Sequence, residues 1–286
     1  MKDMSGIKID YGMRCHDICA KAPLLDVLDT VQANGIRHIQ LAFSKSVSDY
    51  DFSTGHYNTG FCYYIRKELE KRDIHVAVLG CYINPANPDP KKRESEIARF
   101  IEQMKYARRI GADMVGTETG RFSSDMSVTE DTRSEACYNT VLDSFKRIVR
   151  AGQQLGVTVG VEGVFDHTLY SPEKMARFLS DIDSENVEVI LDPVNLIPPE
   201  AEFDKEAQAD LLNRAFSLYG DRISVLHLKD FVFDGNKQLY RHPGEGHFYY
   251  PALMRHLESK PHIIGLLENS SPDRYEEDCR FISSSF

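Results

Sequence analysis

Four side chains of types that bind divalent metal ions stand at the ends of apolar runs in the second half of the sequence. They are separated by 30, 35 and 41 residues: Glu162, Asp192, His227 and Glu268. Three carboxylates and one imidazole suit an ion of intermediate hardness, Mn²⁺ first, with Mg²⁺, Co²⁺ or Zn²⁺ also suitable. Without a cation, three converging carboxylates would repel one another. The alternative is that each is an isolated cap or ion-pair partner.

The sequence alternates between predicted strands and predicted helices, and these elements could bring the four residues together. Short β-rich apolar runs alternate with segments of helical apolar spacing, and four helices are predicted to end at a left-handed glycine: Gly35, Gly111, Gly156 and Gly220. Eight runs in 286 residues give units of about 36 residues, typical of a (β/α)₈ barrel. The predicted strands are residues 7–11, 38–43, 75–82, 114–119, 158–164, 187–191, 223–228 and 263–268.

This pattern predicts an α/β fold with a single (β/α)₈ TIM barrel domain over residues 1–286. A doubly wound open sheet also alternates strands and helices, but its glycine-rich phosphate turn has no counterpart, because GxGxxG and GxxxxGK[ST] are both absent. Active sites of (β/α)₈ barrels lie at the carboxyl ends of the strands. The four metal-binding side chains are therefore expected to converge there.

The second half of the sequence resembles the xylose isomerase-like TIM-barrel superfamily of sugar phosphate isomerases and epimerases, and is similar to the ketose 3-epimerases. The resemblance is carried by Val-Glu162-Gly-Val, Ile-Leu-Asp192-Pro-Val-Asn195, Leu-His227-Leu-Lys229-Asp230, Pro-Gly244-Glu245-Gly246 and Leu-Leu-Glu268-Asn. It implies that Glu162, Asp192, His227 and Glu268 bind one metal ion. It further implies that Glu162 and Glu268 act as the acid/base pair.

The implied reaction is sugar, sugar-phosphate or polyol isomerisation or epimerisation by proton transfer through an enediolate, which a divalent ion stabilises as a Lewis acid. The nearest alternative is an inosose-type dehydratase, which removes the same kind of proton. A non-catalytic sugar-binding barrel is a second alternative. An endonuclease IV-like phosphodiesterase is a third, but it needs a three-metal cluster with further histidines, and Asn195 stands where one of them would be.

Five further residues are candidate substrate contacts near the strand ends: Asn195, His167, Lys229, Glu118 and Arg241. Asn195 would orient a sugar hydroxyl or a metal ligand, with a helix cap as the alternative, and His167 would otherwise be a solvated loop histidine. Lys229 is also expected to pair with Asp230 near the mouth of the barrel. The proline-rich segment 84–90 follows the third strand and is expected to cover the opening.

Composition narrows the classes of partner. Thirty-four basic and 44 acidic side chains give a net charge of −10, which disfavours nucleic acid as a partner. No apolar run approaches the roughly 20 residues of a membrane span, and the N-terminus lacks a secretion signal. The six cysteines have no CxxC spacing. We therefore expect a cytoplasmic protein with reduced thiols. The resemblance implies a small carbohydrate substrate, and related barrels often form dimers or tetramers.

Overall fold

Eight parallel strands close into a barrel in a computed structural model that describes residues 9–258, 260 and 262–285. Each strand pairs with its neighbours, and β1 joins both β2 and β10 to close the ring. The predicted (β/α)₈ barrel is thus confirmed. The barrel strands are β1 (Ile9–Arg14), β2 (His38–Leu41), β3 (His75–Gly80), β4 (Met114–Glu118), β5 (Thr158–Glu162), β6 (Val187–Leu191), β7 (Ile223–Leu228) and β10 (Ile263–Leu267), and an antiparallel hairpin of β8 (Asp230–Asp234) and β9 (Lys237–Arg241) follows β7.

Helices alternate with the barrel strands. None of them, within the described residues, is long and apolar enough to cross a membrane. The helices are α1 (Cys15–Ile18), α2 (Leu24–Ala33), α3 (Phe43–Ser46), α4 (Thr59–Lys71), α5 (Pro90–Ile110), α6 (Glu135–Leu155), α7 (Pro172–Ile182), α8 (Lys205–Tyr219), α9 (Tyr250–Leu257) and α10 (Tyr275–Ser283).

Glycines mark the helix ends largely as predicted. Gly35, Gly111 and Gly156 take left-handed conformations with φ of 68°, 84° and 63°, which glycine adopts at little cost. At Gly220 the prediction is wrong: its φ is −54°, and a 3₁₀ turn starts there instead. The end of α8 therefore continues into a tighter 3₁₀ turn and does not take a left-handed conformation.

An apolar layer fills the interior of the barrel below the carboxyl ends of the strands. Ile190 of β6 reaches across to β4, where a Cβ on Gly116 would lie 2.6 Å from its Cδ1. Val78, Met114 and Leu266 belong to the same buried cluster. Because this layer excludes water from the interior, polar side chains from the strands collect above it.

The first strand extends further than predicted. Residues 7 and 8 of the predicted strand lie outside the described residues, but β1 continues three residues past Tyr11, to Arg14. Gly12 pairs with His38, and a Cβ at Gly12 would lie 2.1 Å from the His38 carbonyl oxygen, so the close approach of β2 requires glycine. As a result, the guanidinium of Arg14 reaches the mouth of the barrel.

Asp230 holds the segment that follows the hairpin, and the predicted Lys229–Asp230 ion pair is wrong. The Asp230 carboxylate accepts hydrogen bonds from the backbone N–H groups of Phe231, Gly244 and Phe248 at 2.8, 2.9 and 2.8 Å. Its charge is satisfied by backbone donors, so it has no need of an ammonium. Lys229 turns to other carboxylates, described below.

The proline-rich segment 84–90 follows the carboxyl end of β3, the end of the barrel at which the opening lies, and residues 84–87 of it are buried, while its role as a cover stays a prediction. The Asn84 amide donates to the carbonyl oxygens of Arg121 and Ser123 at 2.9 and 2.8 Å, and Ala86 and Asn87 are buried. These contacts fix the segment that follows β4.

His75, at the opposite, amino end of the barrel, predicts a pH-dependent contribution to stability. His75 Nε2 lies 3.0 Å from Asp113 Oδ1, and this contact raises the pKa of His75. A raised pKa in the folded state stabilises the protein below the unfolded-state value and is lost as pH rises through the folded-state value. We expect Asp113→Asn to lower the free energy of unfolding more at about pH 5.5 than at about pH 8.5, measured by urea denaturation. Equal losses at both pH values would contradict this.

Candidate metal centre

Three of the four predicted ligands converge at the carboxyl ends of β5, β6 and β7. Glu162, Asp192 and His227 each offer a ligand atom within 4.8 Å of the other two, and all three residues are buried. This is the one group of three or more such residues found in the described part of the chain. Glu162 ends β5, Asp192 follows β6 and His227 is the residue before the last of β7, so burial of each strand carries the polar group into the interior.

His227 faces two carboxylates without bonding to either. Its Nδ1 lies 3.1 Å from Glu162 Oε2 and 3.4 Å from Glu268 Oε1, yet neither contact has the alignment of a hydrogen bond, and Nε2 has no partner. Ligands that share a cation about 2.0–2.3 Å away are separated in this way. The unpartnered buried imidazole and the converging carboxylates therefore fit a divalent ion.

Glu268 reaches the cluster but falls outside the group of three. Its Oε1 lies 3.1 Å from Arg14 Nη1, and its Oε2 accepts a hydrogen bond from Lys229 Nζ at 2.8 Å. The same Lys229 ammonium lies 2.6 Å from Asp192 Oδ2 and is buried, only 2% exposed. The positively charged side chains of Arg14 and Lys229 therefore contact carboxylates that also surround His227.

The electrostatics of the cluster reflect the crowding of charge. Burial by itself would lower the pKa of His227, but the carboxylates of Glu268 and Glu162 raise it to about 9. Burial raises the pKa of Asp192 to about 6, against the opposing effect of Lys229. For Glu268, His227 and Lys229 outweigh burial and hold the pKa well below its usual range. The cluster thus attracts positive charge, as a cation site requires.

Asn195 connects two of the ligands. Its side-chain Nδ2 donates to Glu162 Oε1 at 2.6 Å, and its backbone N–H donates to Asp192 Oδ1 at 2.9 Å. Tyr240 Oη of the hairpin donates to Asn195 Oδ1 at 3.4 Å. Asn195 therefore fixes the orientation of both carboxylates, as polar partners of metal ligands commonly do.

A cavity of about 700 Å³ opens beside the cluster. Three predicted substrate contacts, Glu118, His167 and Asn195, line it together with Phe165 and Tyr240. Lys229 and Arg241 do not line this cavity: Lys229 is buried among the carboxylates, and the Arg241 guanidinium donates to the carbonyl oxygen of Tyr240.

Tyr82, which follows β3 in the first half of the chain, also lies near the cluster, although it was not among the candidate site residues. The Tyr82 hydroxyl accepts a hydrogen bond from Gln40 Nε2 at 2.7 Å, and Lys45 Nζ lies 4.2 Å from the Tyr82 ring centre. Nearby charges, those of Glu268 and Arg14 first among them, act on the pKa of Tyr82, although burial is the main reason that it is raised. Tyr82 is the last residue of the predicted strand 75–82, and an aromatic residue at that place gave no sequence signal of its own.

Comparison with known proteins gives a family and a set of similar folds. The profile of the xylose isomerase-like TIM barrel family matches residues 28–285. A D-tagatose 3-epimerase-like protein is 14% identical over 97% of each chain, with a TM-score of 0.73. The IOLI protein, solved with a binding zinc atom, is 16% identical over 97% of this chain and 96% of that chain, with a TM-score of 0.70.

A third solved structure is described as a xylose isomerase-like TIM barrel protein from Mycobacterium smegmatis in complex with magnesium. It is 14% identical over 100% of this chain and 99% of that chain, with a TM-score of 0.69. No curated protein matches the sequence significantly. At these identities the solved structures show a shared fold.

Proposed function

The chain belongs to the xylose isomerase-like TIM barrel family, and we propose that it is a divalent-metal-dependent isomerase or epimerase of a sugar, sugar phosphate or polyol. One observation carries the proposal: His227 Nδ1 stands between the carboxylates of Glu162 and Glu268 without bonding to either. Ligands of one metal ion point toward that ion and not toward one another, and neither ring nitrogen of His227 has a hydrogen-bond partner among the described residues.

The residues of the cluster have separate tasks in this reaction. Asp192 and His227 would hold the ion together with Glu162 and Glu268, and Mn²⁺ is the ion that the ligand set suits best. A bound divalent ion acts as a Lewis acid that stabilises the negative charge of an enediolate. Glu162 or Glu268 then removes the proton from the carbon next to the substrate carbonyl, and the electron pair of that C–H bond passes into the enediolate.

The positions of the two glutamates suit transfer on two faces of a substrate. Glu162 ends β5 and Glu268 follows β10, and two strands, β6 and β7, separate them around the barrel. If the second glutamate returns a proton to the same carbon from the other face, the product is an epimer. If the proton goes to the neighbouring carbon, the product is the isomeric aldose or ketose.

The alternatives differ in what they require. An inosose-type dehydratase would use the same base, with an acid placed to release a β-hydroxyl. An endonuclease IV-like enzyme would need further metal ligands, but the described residues contain one potential ligand group, and Asn195 beside it donates a hydrogen bond to Glu162. The isomerase or epimerase reaction requires no group beyond those in the cluster.

A screen for proton exchange tests the proposal. Ketoses, aldoses, their phosphates and inososes are incubated with Mn²⁺-loaded protein in D₂O, and deuterium at carbon is followed by NMR. We expect exchange with at least one compound and conversion to its epimer or isomer. Exchange accompanied by loss of water would instead identify a dehydratase. No exchange with any of these compounds would contradict the proposed function.

Metal binding is expected to stabilise the protein through Asp192. At a free Mn²⁺ concentration 100-fold above the dissociation constant, one bound ion adds about 2.7 kcal/mol to the free energy of unfolding. We expect this increase in the unmodified protein and in Asp234→Ala, a control in the cavity wall, but not in Asp192→Ala. Denaturation with and without Mn²⁺ measures it, and elemental analysis should find one ion per chain. A full increase in Asp192→Ala would refute this ligand assignment.

A further inference from the structure

His167 is held in one orientation by backbone groups of the segment that follows β4. The Gly120 N–H donates to His167 Nδ1 at 3.2 Å, and the ring is buried, with the residue 3% exposed. The next residue, Thr168, donates to the Gly120 carbonyl oxygen from both its N–H and its hydroxyl, at 3.0 and 3.1 Å. Rotation of the imidazole would break its bond with the Gly120 N–H, while the Thr168 contacts hold the backbone of Gly120 in place beside the ring.

The Gly120 contact fixes which ring nitrogen carries the proton. A backbone N–H can donate only to a nitrogen with a free lone pair, so Nδ1 is unprotonated and Nε2 carries the hydrogen. The nearest carboxylate on the Nδ1 side, Glu118 Oε2, is 3.6 Å away, which is too far for a competing hydrogen bond. Burial and the charge of Arg121 lower the pKa of His167 to about 4, so the ring is neutral.

The Nε2 side of the ring is left without a partner. Among the described residues no acceptor bonds to it, and the nearest carboxylate oxygen, Asp166 Oδ1, lies 3.8 Å away. The other oxygen of Asp166 is taken by Arg121 at 2.5 Å. His167 lines the cavity beside the metal cluster, together with Asn195. Nε2 is not among the enclosed polar atoms that lack a partner, so this donor is open to the cavity, where an oxygen of a ligand can accept its hydrogen bond.

We propose that His167 is a specificity-determining residue that donates a hydrogen bond from Nε2 to a hydroxyl or carbonyl oxygen of the substrate, and that it does not accept the transferred proton. This inference rests on the proposed function. A neutral imidazole fixed by a backbone amide is suited to polarise an oxygen. With Nδ1 occupied and Nε2 protonated, the ring has no free lone pair with which to act as a base.

Two substitutions separate the two ends of the ring. Glutamine places an amide NH₂ near the position of Nε2 and keeps the donor toward the cavity, but loses the acceptor for Gly120. Asparagine places an oxygen near the position of Nδ1 and keeps the acceptor for Gly120, but loses the donor. Deuterium exchange with the best compound of the screen gives kcat and KM for both variants, and thermal denaturation reports their stability.

We expect His167→Asn to lower kcat/KM by about 10- to 100-fold, the effect of one lost hydrogen bond to substrate. His167→Gln should stay within a few-fold of the unmodified protein despite a lower Tm. In the unmodified protein, two-bond ¹⁵N–¹H spectra should show the Nε2–H tautomer.

Three results would overturn the inference. Equal, large losses of kcat in both variants would make His167 a base, and normal kinetics in His167→Asn would make it purely structural. An Nδ1–H tautomer or an imidazolium would show that Gly120 does not fix the ring. If the unmodified protein exchanges deuterium, any of these results removes the role of His167 alone; if it does not, the proposed function fails, and this role with it.

Discussion

Glutamine in place of Glu162 or of Glu268 is expected to slow deuterium exchange at the substrate carbon by ~10²–10⁴-fold, the range that general acid–base catalysis contributes. The substitution keeps the size of the side chain and one oxygen, but it replaces the other oxygen by an amide nitrogen that cannot accept a proton. Proton-transfer rates in D₂O with Mn²⁺ present, followed by NMR, measure the effect.

The two variants are expected to differ in one respect if the reaction is an epimerisation. The variant that keeps the glutamate facing the substrate proton can still exchange that proton for deuterium without inverting the carbon, whereas the other cannot. The substitution of Glu268 is expected to lower stability more than that of Glu162, because Arg14 and Lys229 both pair with Glu268. Elemental analysis and Tm of each variant therefore accompany the kinetics, so that loss of metal or of fold is recognised.

Glu118→Gln is the matched control for these two variants. Glu118 is also a glutamate at the end of a barrel strand, and it lines the cavity beside the cluster, but it is not one of the three converging candidate ligands. Its substitution should alter KM more than kcat. If Glu162→Gln and Glu268→Gln both turn over at near-normal rates with metal bound, the two-glutamate mechanism is wrong.

The fold and the convergence of three candidate ligands could be predicted because both depend on local patterns. Apolar runs predict strands, and a polar residue that ends such a run must lie at the carboxyl end of the barrel. Thus the positions of Glu162, Asp192 and His227 follow from their own strands. The same reasoning placed Glu268 beside them, and there the structure adds partners that the pattern does not contain.

Those partners could not be predicted because their positions depend on register and on tertiary contacts. Arg14 reaches the mouth only because β1 runs three residues further than its apolar run indicates, with Gly12 against β2. Lys229 was expected to pair with the adjacent Asp230, but backbone N–H groups from residues 231, 244 and 248 satisfy that carboxylate. Which of several nearby carboxylates a lysine meets is decided by the packing of the whole barrel end.

Methionine in place of Lys229 is expected to lower the free energy of unfolding of the metal-free protein by about 3–5 kcal/mol, as removal of one partner from a buried ion pair does. The Lys229 ammonium contacts Asp192 and Glu268 at 2.6 and 2.8 Å. Methionine keeps the apolar volume of the stem but leaves both carboxylates without this charge. Because a divalent ion supplies positive charge to the same carboxylates, the loss should be smaller when Mn²⁺ is present.

This difference between metal-free and metal-loaded protein requires tighter metal binding in Lys229→Met, because stability and affinity are linked through one thermodynamic cycle. Urea denaturation with and without Mn²⁺ gives the two losses, and calorimetric titration gives the affinity directly. Lys45→Met is the control: Lys45 lies over the Tyr82 ring at the same mouth but forms no ion pair within the described residues, so neither quantity should change greatly. If Lys229→Met loses the same free energy with and without Mn²⁺, the ion does not bind to the carboxylates that Lys229 contacts. If the variant binds the ion more weakly, Lys229 helps to hold those carboxylates in place for the ion and does not compete with it.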